Sequence, residues 1–365
     1  MISLLGLLFG LLPVQSRDIR FSEAVKARSR KILRMIAPHG TVRRQLPVWA
    51  IPLFLVACGG PTPVDPDPDP DPDPDSLPEP VAIPAQGTAS TLDVVTWNLL
   101  YFGSPNAGPS DEKLQMARIR DVIKGTDADL WSVQEVTSNN TFDELLSHLP
   151  GYAGLLANDS IVTHGSDYYT GGEQKVGIIY KSAIVSVTSA QLVLTELNSA
   201  FAGRPPLEVR IRLTMGGATR DAVVLSLHAK ASDDTASYNK RAAAAVGLKA
   251  YVDSALANDL VLIPGDWNDD VDESITEGRD TPYRMFVNDT SAWVFPTGEL
   301  SAEGATSHLR FNEVIDHILG SNEAMQYYEA ESALAYRVDE YIVDFLETVS
   351  DHIPVLVRFT PPGGT

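Results

Sequence analysis

Cysteine is all but missing from this chain: Cys58 is the only one in 365 residues. No intrachain disulfide can form, so the fold must be held by its core, for which a 44% share of hydrophobic residues is ample. No Cys or His cluster of zinc spacing, no glycine-rich phosphate loop and no internal repeat is present, which sets aside zinc modules, P-loop enzymes and solenoids. Bases are also scarce, with 28 Lys and Arg against 48 Asp and Glu, a formal charge of -20. The deficit is uneven. Residues 1–57 carry nine bases against two acids, residues 58–89 seven acids and no base, and residues 90–365 carry 39 acids against 19 bases. The last stretch alone therefore stands at -20 (19 minus 39) and repels polyanions unless a basic patch or a bound cation intervenes.

These charge blocks also divide the chain. In residues 1–57 an apolar segment, Leu46 to Ala57, follows Arg43 and Arg44 and ends in Leu55-Val56-Ala57-Cys58. Its twelve residues are too few to span a bilayer comfortably, and a charged start with a small-residue exit is the plan of an export signal. The segment resembles a bacterial lipoprotein signal, which implies that Cys58 is lipidated and becomes the mature N-terminus. The competing reading is a short buried helix or a signal anchor. Gly59 carries no inner-membrane retention cue, so an exported protein tethered at the outer membrane or cell surface is expected. Met35 would open a signal of ordinary length; residues 1–34 are then upstream of the true start or form a second targeting element.

Residues 58–89 read as a disordered linker. Asp-Pro repeats from Asp65 to Asp75 forbid a helix and favour extended polyproline geometry, stiffened by like charges. Alternate prolines also keep these aspartates from curling round a calcium ion.

Residues 90–361 read as one folded domain. Its organising stretch is Leu260 to Asp270, an apolar run closed by Pro264 and Gly265 and followed at once by Asp266 and Asn268. This predicts a strand buried on both faces, with polar residues delivered into a crevice at its C-terminal end. A polar turn is the bland alternative for one such stretch, but the pattern recurs. Thr91–Asn98 is an alternating strand ending in Asn98. Ser110 is the expected N-cap of a helix over 111–124, and Ala128–Glu135 is a second strand ending in a carboxylate, which makes a βαβ unit. Further strands are predicted at 175–181, 184–194, 207–214, 222–227, 314–319 and 349–357, with an alanine-rich helix over 237–256. The strand ends carry Asn98, Glu135, His228, Asp266 with Asn268, Asp316, and Asp351 with His352.

In order and local wording these segments resemble the endonuclease/exonuclease/phosphatase superfamily, which includes pancreatic-type deoxyribonucleases, inositol polyphosphate phosphatases and bacterial sphingomyelinases. The resemblance covers about residues 91 to 360, through Thr-Trp-Asn98, Gln-Glu135, Ser-Leu-His228, Gly-Asp266-Trp-Asn268, Ile-Asp316 and Ser-Asp351-His352. It implies an α/β four-layer sandwich, two packed mixed β-sheets flanked by helices.

Phosphoester hydrolysis needs a cation on the phosphoryl oxygens, a positioned water and help for the departing oxygen. Glu135, with Asn98 and Asp351, offers hard oxygen ligands suited to Mg²⁺ or Mn²⁺. His352 is the best general base, with Asp316 implied as the carboxylate that orients it. Asp266 is expected to orient or deprotonate water, Asn268 to hold a phosphoryl oxygen, and His228 to bind phosphate or protonate the leaving group. Lys230, two residues past His228, and Arg310 are candidate phosphate contacts or plain solvated cations. His164, His308 and His317 read as structural or surface residues. In deoxyribonuclease relatives a carboxylate partners the histidine at the position of His228; Glu173 and Gln174 both fall in that neighbourhood. Three function classes stay open: a tethered or secreted monomeric nuclease for DNA or RNA, a phosphatase or phosphodiesterase for small esters or lipid head groups, and a catalytically dead binding module. The complete polar set argues against the last.

Overall fold

The computed structural model of the protein describes residues 76–360 except Asn312, so Cys58 and the Asp-Pro run lie outside the described residues. The strands in chain order are β1 Leu92–Phe102, β2 Leu130–Val136, β3 Tyr152–Leu156, β4 Val162–Thr163, β5 Lys175–Lys181, β6 Val185–Leu192 and β7 Leu207–Met215. They continue with β8 Ala218–His228, β9 Val261–Asp266, β10 Trp293–Val294, β11 Asp316–Ser321, β12 Leu334–Ala335 and β13 Val355–Phe359. The longer helices are α1 Glu112–Thr126 and α2 Asn139–Ser147. After the single turn α3 Gly165–Tyr168 comes the long helix α4 Thr235–Ala255.

One sheet has six strands in the order β12-β13-β1-β2-β5-β3 and the other seven in the order β10-β11-β9-β8-β7-β6-β4. Both are mixed. β1 runs parallel to β2 and antiparallel to β13; β9 runs parallel to β8 and antiparallel to β11. The period-two alternation of each strand sorts its residues into layers. In β1, Val94 joins a cluster with Leu130, Ile178, Val224, Leu262 and Ile318 between the sheets, while Val95, Trp97 and Leu99 join an outer cluster with Ile119, Val122, Phe142 and Leu145 of α1 and α2. In β9, Leu262 faces the inner cluster and Val261 and Ile263 an outer one with Leu248 and Val252 of α4. This is the expected four-layer sandwich, and it explains why Leu260–Ile263 is apolar without alternation.

Inward positions turn polar towards one end of the sandwich. Ser132, Ser226 and Gln134 link the sheets there: Ser132 Oγ lies 2.7 Å from Ser226 Oγ, donates to Pro264 O (3.1 Å) and accepts from Gln134 Nε2 (2.9 Å). Two residues on from Ser226 and Pro264 stand His228 and Asp266, and Asn98 pairs in register with Gln134. Within the seven-stranded sheet β8 and β9 pair so closely that a Cβ on Gly265 would meet O of its register partner Leu227 at 2.5 Å, so only glycine fits beside Asp266.

Two boundaries differ from the sequence reading. Residues 77–86 belong to the domain and not to a disordered linker: Ile83 is buried, Leu77 and Val81 pack on the α1 cluster, and Val81 N donates to Asp121 Oδ2 (2.9 Å). The cap of α1 is Asp111, whose carboxylate accepts from Leu114 N, and not Ser110.

Candidate active site

The polar strand ends surround one cavity of about 740 Å³, lined by Glu135, His228, Asp266, Asn268, Asp351 and His352 together with His308 and Arg310. Several stand there because the backbone leaves regular geometry. The β1–β2 register shifts between Asn98 and Phe102, and the β2–β5 register between Val133 and Val136. These bulges carry Leu100 (φ 48°), Tyr101 (φ 53°) and Glu135 (φ 61°); Asn268 (φ 52°) shares the left-handed conformation. Side chains rarely accept such backbone angles unless surrounding contacts fix them, and here the bulges re-aim Glu135 into the cavity. Its Oε2 accepts from Tyr101 N (3.1 Å), tying one strained segment to the other.

Asp266 is the hub. Its Oδ2 accepts from Asn98 Nδ2 (3.0 Å) and lies 3.4 Å from His228 Nε2 and 4.0 Å from His352 Nε2. Its Oδ1 accepts from Asn268 N (2.9 Å). Glu135 Oε1 lies 3.8 Å from the same His228 Nε2, so two carboxylates converge on one imidazole nitrogen. In the antiparallel register Asp316 stands opposite Asp266. Burial first, then the negative charges of Asp316 and Glu135, push the Asp266 carboxyl up to about 7.

His352 is oriented as the resemblance implies: its Nδ1 lies 2.7 Å from Asp316 Oδ2, which also accepts from Ser307 Oγ (2.7 Å). Burial disfavours its cation, but the carboxylates of Asp316, Asp266 and Asp351 outweigh that and raise it to about 10. The motif neighbours serve as anchors. Trp97 Nε1 donates to His352 O (2.9 Å), and Ser350 Oγ donates to Asn98 O (2.7 Å) while accepting from His352 N (3.0 Å). In the Asp-Trp-Asn-Asp-Asp run, Trp267 Nε1 donates to His317 O (3.1 Å) and Asp269 pairs with buried Arg241 at 2.7 Å.

His228 is fully buried. Its Nε2 faces two carboxylates, which calls for the proton on Nε2, and its Nδ1 has no hydrogen-bond partner among the described residues. Neither Glu173 nor Gln174 pairs with it: Glu173 accepts from Thr170 N, and Gln174 Oε1 accepts from Arg204 Nη1 (2.6 Å). Burial, then the charges of Arg204, His352 and Lys230, hold His228 well below the ordinary histidine value. A neutral N–H donor can bind phosphate, but it is a poor proton source for a leaving group.

The expected metal ligands are not gathered round one point. Asn98 uses Nδ2 on Asp266 and Oδ1 on Leu100 N (2.9 Å), and Glu135 faces His228. Asp351 instead stands among His308, Arg310 and His352, at 3.6, 3.2 and 4.0 Å. Lys230 does not line the cavity. β8 ends at His228, so the same-face rule stops there, and the Lys230 ammonium donates to Ala231 O (2.8 Å). Arg310 does line it, with its Nε on Asp351 Oδ2.

The sequence reading missed Ser307 and His308. His308 is neither a surface residue nor merely structural: it lines the cavity, its ring centroid 4.6 Å from that of His352. Burial, then the His352 charge, lowers it to about 4. His317 is structural, as expected, and His164 lies at the surface beside Asp167.

No curated protein matches the sequence. Among solved structures, the human Nocturnin catalytic domain with bound sulfate is 17% identical, with a TM-score of 0.52 over 74% of this chain and 94% of that one. TDP2 from D. rerio complexed with single-strand DNA product is 12% identical, with a TM-score of 0.51 over 74% of this chain and 99% of that one. The 3′ phosphatase NExo from Neisseria, bound as a point variant to product DNA hairpin, is 14% identical, with a TM-score of 0.52 over 73% and 99%. At such identities these likenesses show the fold. The sequence itself matches the Endonuclease/Exonuclease/phosphatase family over residues 95–352, a span holding every strand-end residue of the cavity, and the chain belongs to that family.

Proposed function

We propose that this phosphoester hydrolase depends on a divalent cation and cleaves nucleic-acid phosphodiesters. The observation that carries the reading is the meeting of Glu135 and Asp266 at His228 Nε2, beside a His352 already oriented by Asp316. The donor set fits Mg²⁺ or Mn²⁺: Glu135, Asp266 and Asp351 line one cavity with Asp316 paired beside Asp266, hard carboxylate oxygens whose charge a dication would balance. Glu135, Asn98 and Asp351 would hold the ion, each giving up a partner it has in this structure. Once bound, it neutralises the phosphoryl oxygens and polarises the scissile bond.

The chain's own residues supply the rest. Asp316 keeps His352 Nδ1 engaged and leaves Nε2 towards the cavity, where it can exchange a proton with water once the site's charge is balanced. Asp266, fixed by Asn98 and Asn268 N, orients that water, while His228 and Asn268 face the phosphoryl group.

Tyr101 and Phe311, 37% and 64% exposed, line the same cavity and offer rings on which a base can stack. The TDP2 and NExo structures hold DNA on a similar fold, so the fold admits such a substrate. A second reading, hydrolysis of small phosphate esters or lipid head groups, is favoured by another observation: Arg310 is the only Lys or Arg among the lining residues. A panel of duplex and single-stranded DNA, RNA, inositol phosphates and sphingomyelin, with Mg²⁺ or Mn²⁺, separates the two. Polynucleotide cleavage lost on chelation is expected. Cleavage of the small esters alone would select the second reading, and hydrolysis indifferent to chelator would overturn both.

The sequence features round Cys58 support export and tethering through a lipid on that residue. Cys58→Ala is then expected to release the protein from the membrane fraction, and unchanged retention would defeat the lipid anchor.

A further inference from the structure

The cavity contains a third histidine, and its surroundings decide what it can do. His308 lies in the turn before β11, and its backbone bridges that of His352. Leu309 N donates to Asp351 O (2.7 Å) and Ile353 N to Ser307 O (2.9 Å), so this turn is stitched to the Asp351–His352 segment along its length. The imidazole is wedged between the rings of Phe311 and His352, at 4.7 and 4.6 Å, with little freedom to turn.

Together, His308, Asp351 and His352 place one ligand atom each within 4.8 Å of one another, a grouping that could be read as a transition-metal site. The hydrogen bonding argues otherwise. Arg310 N donates to His308 Nδ1 (3.2 Å), which requires a lone pair on Nδ1. The neutral ring then carries its proton on Nε2, the atom that faces Asp351 Oδ2 at 3.6 Å. An Nε2–H cannot ligate a metal. At 3.6 Å it is also not spent on a made hydrogen bond to the carboxylate, since that distance exceeds the usual limit. A donor fixed in direction and left without a close acceptor, at the wall of a cavity, suits an anionic oxygen that arrives from outside.

We propose that His308 is a substrate-binding residue that donates its Nε2–H to a phosphoryl oxygen, and not a metal ligand. With His228 Nε2–H and the Arg310 guanidinium it gives the cavity three donors drawn from two segments, the end of β8 and the turn before β11. The inference rests on the phosphoester-hydrolase reading for the identity of the anion, but the donor role is testable without turnover.

The experiment compares wild type, His308→Gln and His308→Leu as full chains, each checked for folding by circular dichroism. Binding of inorganic phosphate is measured by calorimetry with Mn²⁺ present, and binding of Mn²⁺ alone is measured separately. Gln retains an N–H donor, so its phosphate affinity is expected within about threefold of wild type; Leu is expected to lose about tenfold, a change of about 1.4 kcal/mol. Mn²⁺ affinity should be the same in all three. A parallel loss of Mn²⁺ affinity would make His308 a metal ligand and overturn the proposal. Equal phosphate affinity across the three would reduce His308 to packing and overturn it too. Should the Leu variant fail to fold, ¹⁵N-histidine NMR of the wild type, assigned with the Gln variant, reads the ring directly: a protonated Nδ1 on His308 would end the proposal. Wild-type protein that binds phosphate but hydrolyses no phosphoester would defeat the hydrolase reading and leave the donor role standing.

Discussion

Asp316 holds His352 Nδ1 at 2.7 Å through Oδ2, while its Oδ1 is buried with no hydrogen-bond partner among the described residues. The pairing fixes which nitrogen of His352 reaches the cavity, so the two residues act as a unit. His352→Ala is expected to lower kcat about a hundredfold or more with folding intact, and Asp316→Asn to lower it in the same direction by freeing the ring. A double variant should be little worse than the worse single one. Turnover assays with circular dichroism as the folding control check this; additive losses would show that the residues act separately.

Tyr101 and Phe311 are exposed but line the cavity, and neither is needed to complete the core. If bases stack on them, Tyr101→Ala and Phe311→Ala should each raise KM for single-stranded DNA about tenfold, with kcat within about threefold and the melting temperature unchanged. Tyr101→Ala should leave a small non-aromatic phosphoester unaffected, and Phe311→Ala, which also frees the His308 ring, should affect that ester less than it affects DNA. Equal effects on both substrates would remove base stacking from the account.

The strands and their polar ends were readable because their signals are local. Leu260–Ile263 is apolar without alternation since β9 packs on both faces, and Asn98, Glu135 and Asp266 stand at a bulge or at the end of their strands. What could not be read depends on contacts between distant segments. Ser307 and His308 sit in a turn without periodicity, and only its stitching to Asp351 and Ile353 shows that they belong to the site. Lys230 misled because alternation of faces holds only while the strand continues. The prolines of residues 76–89 conceal Leu77, Val81 and Ile83, whose burial depends on an α1 surface nearly forty residues away. Ser110 and Asp111 are adjacent and chemically equivalent as caps, so only the backbone separates them.

Lys175 is a fully buried cation with no carboxylate bonded to it; its ammonium donates to Thr137 O (2.8 Å), Gly171 O (3.1 Å), Glu173 O (3.2 Å) and Val136 O (3.4 Å). Burial lowers its pKa, but the four carbonyls hold it between the end of β2 and the loop before β5. Lys175→Met should leave those carbonyls unsatisfied and cost about 2–4 kcal/mol in urea unfolding. Because Val136 and Thr137 follow Glu135, affinity for Mn²⁺ is expected to weaken as well. A variant of unchanged stability would show that water replaces the ammonium at no cost.

His317 contributes to the pH dependence of stability, in the same direction as His308 and His228. It is fully buried, its Nε2 lies 2.9 Å from Val314 O and its Nδ1 3.0 Å from Thr297 Oγ1, a set of partners that satisfies the neutral ring with its proton on Nε2. Burial, only partly offset by Asp316, lowers it to about 4, below the 6.5 of an unfolded histidine. Between those values the unfolded chain binds the proton more tightly. The stability gained by keeping the ring neutral is therefore fully present above about pH 6.5 and is lost as pH falls towards 4. The loss is about 3 kcal/mol at the acid end. His317→Gln should be less stable at pH 7 by about 1–3 kcal/mol, yet flatter between pH 6.5 and 4. Urea midpoints of both proteins across that window test this, and parallel curves would assign the acid limb to other buried histidines.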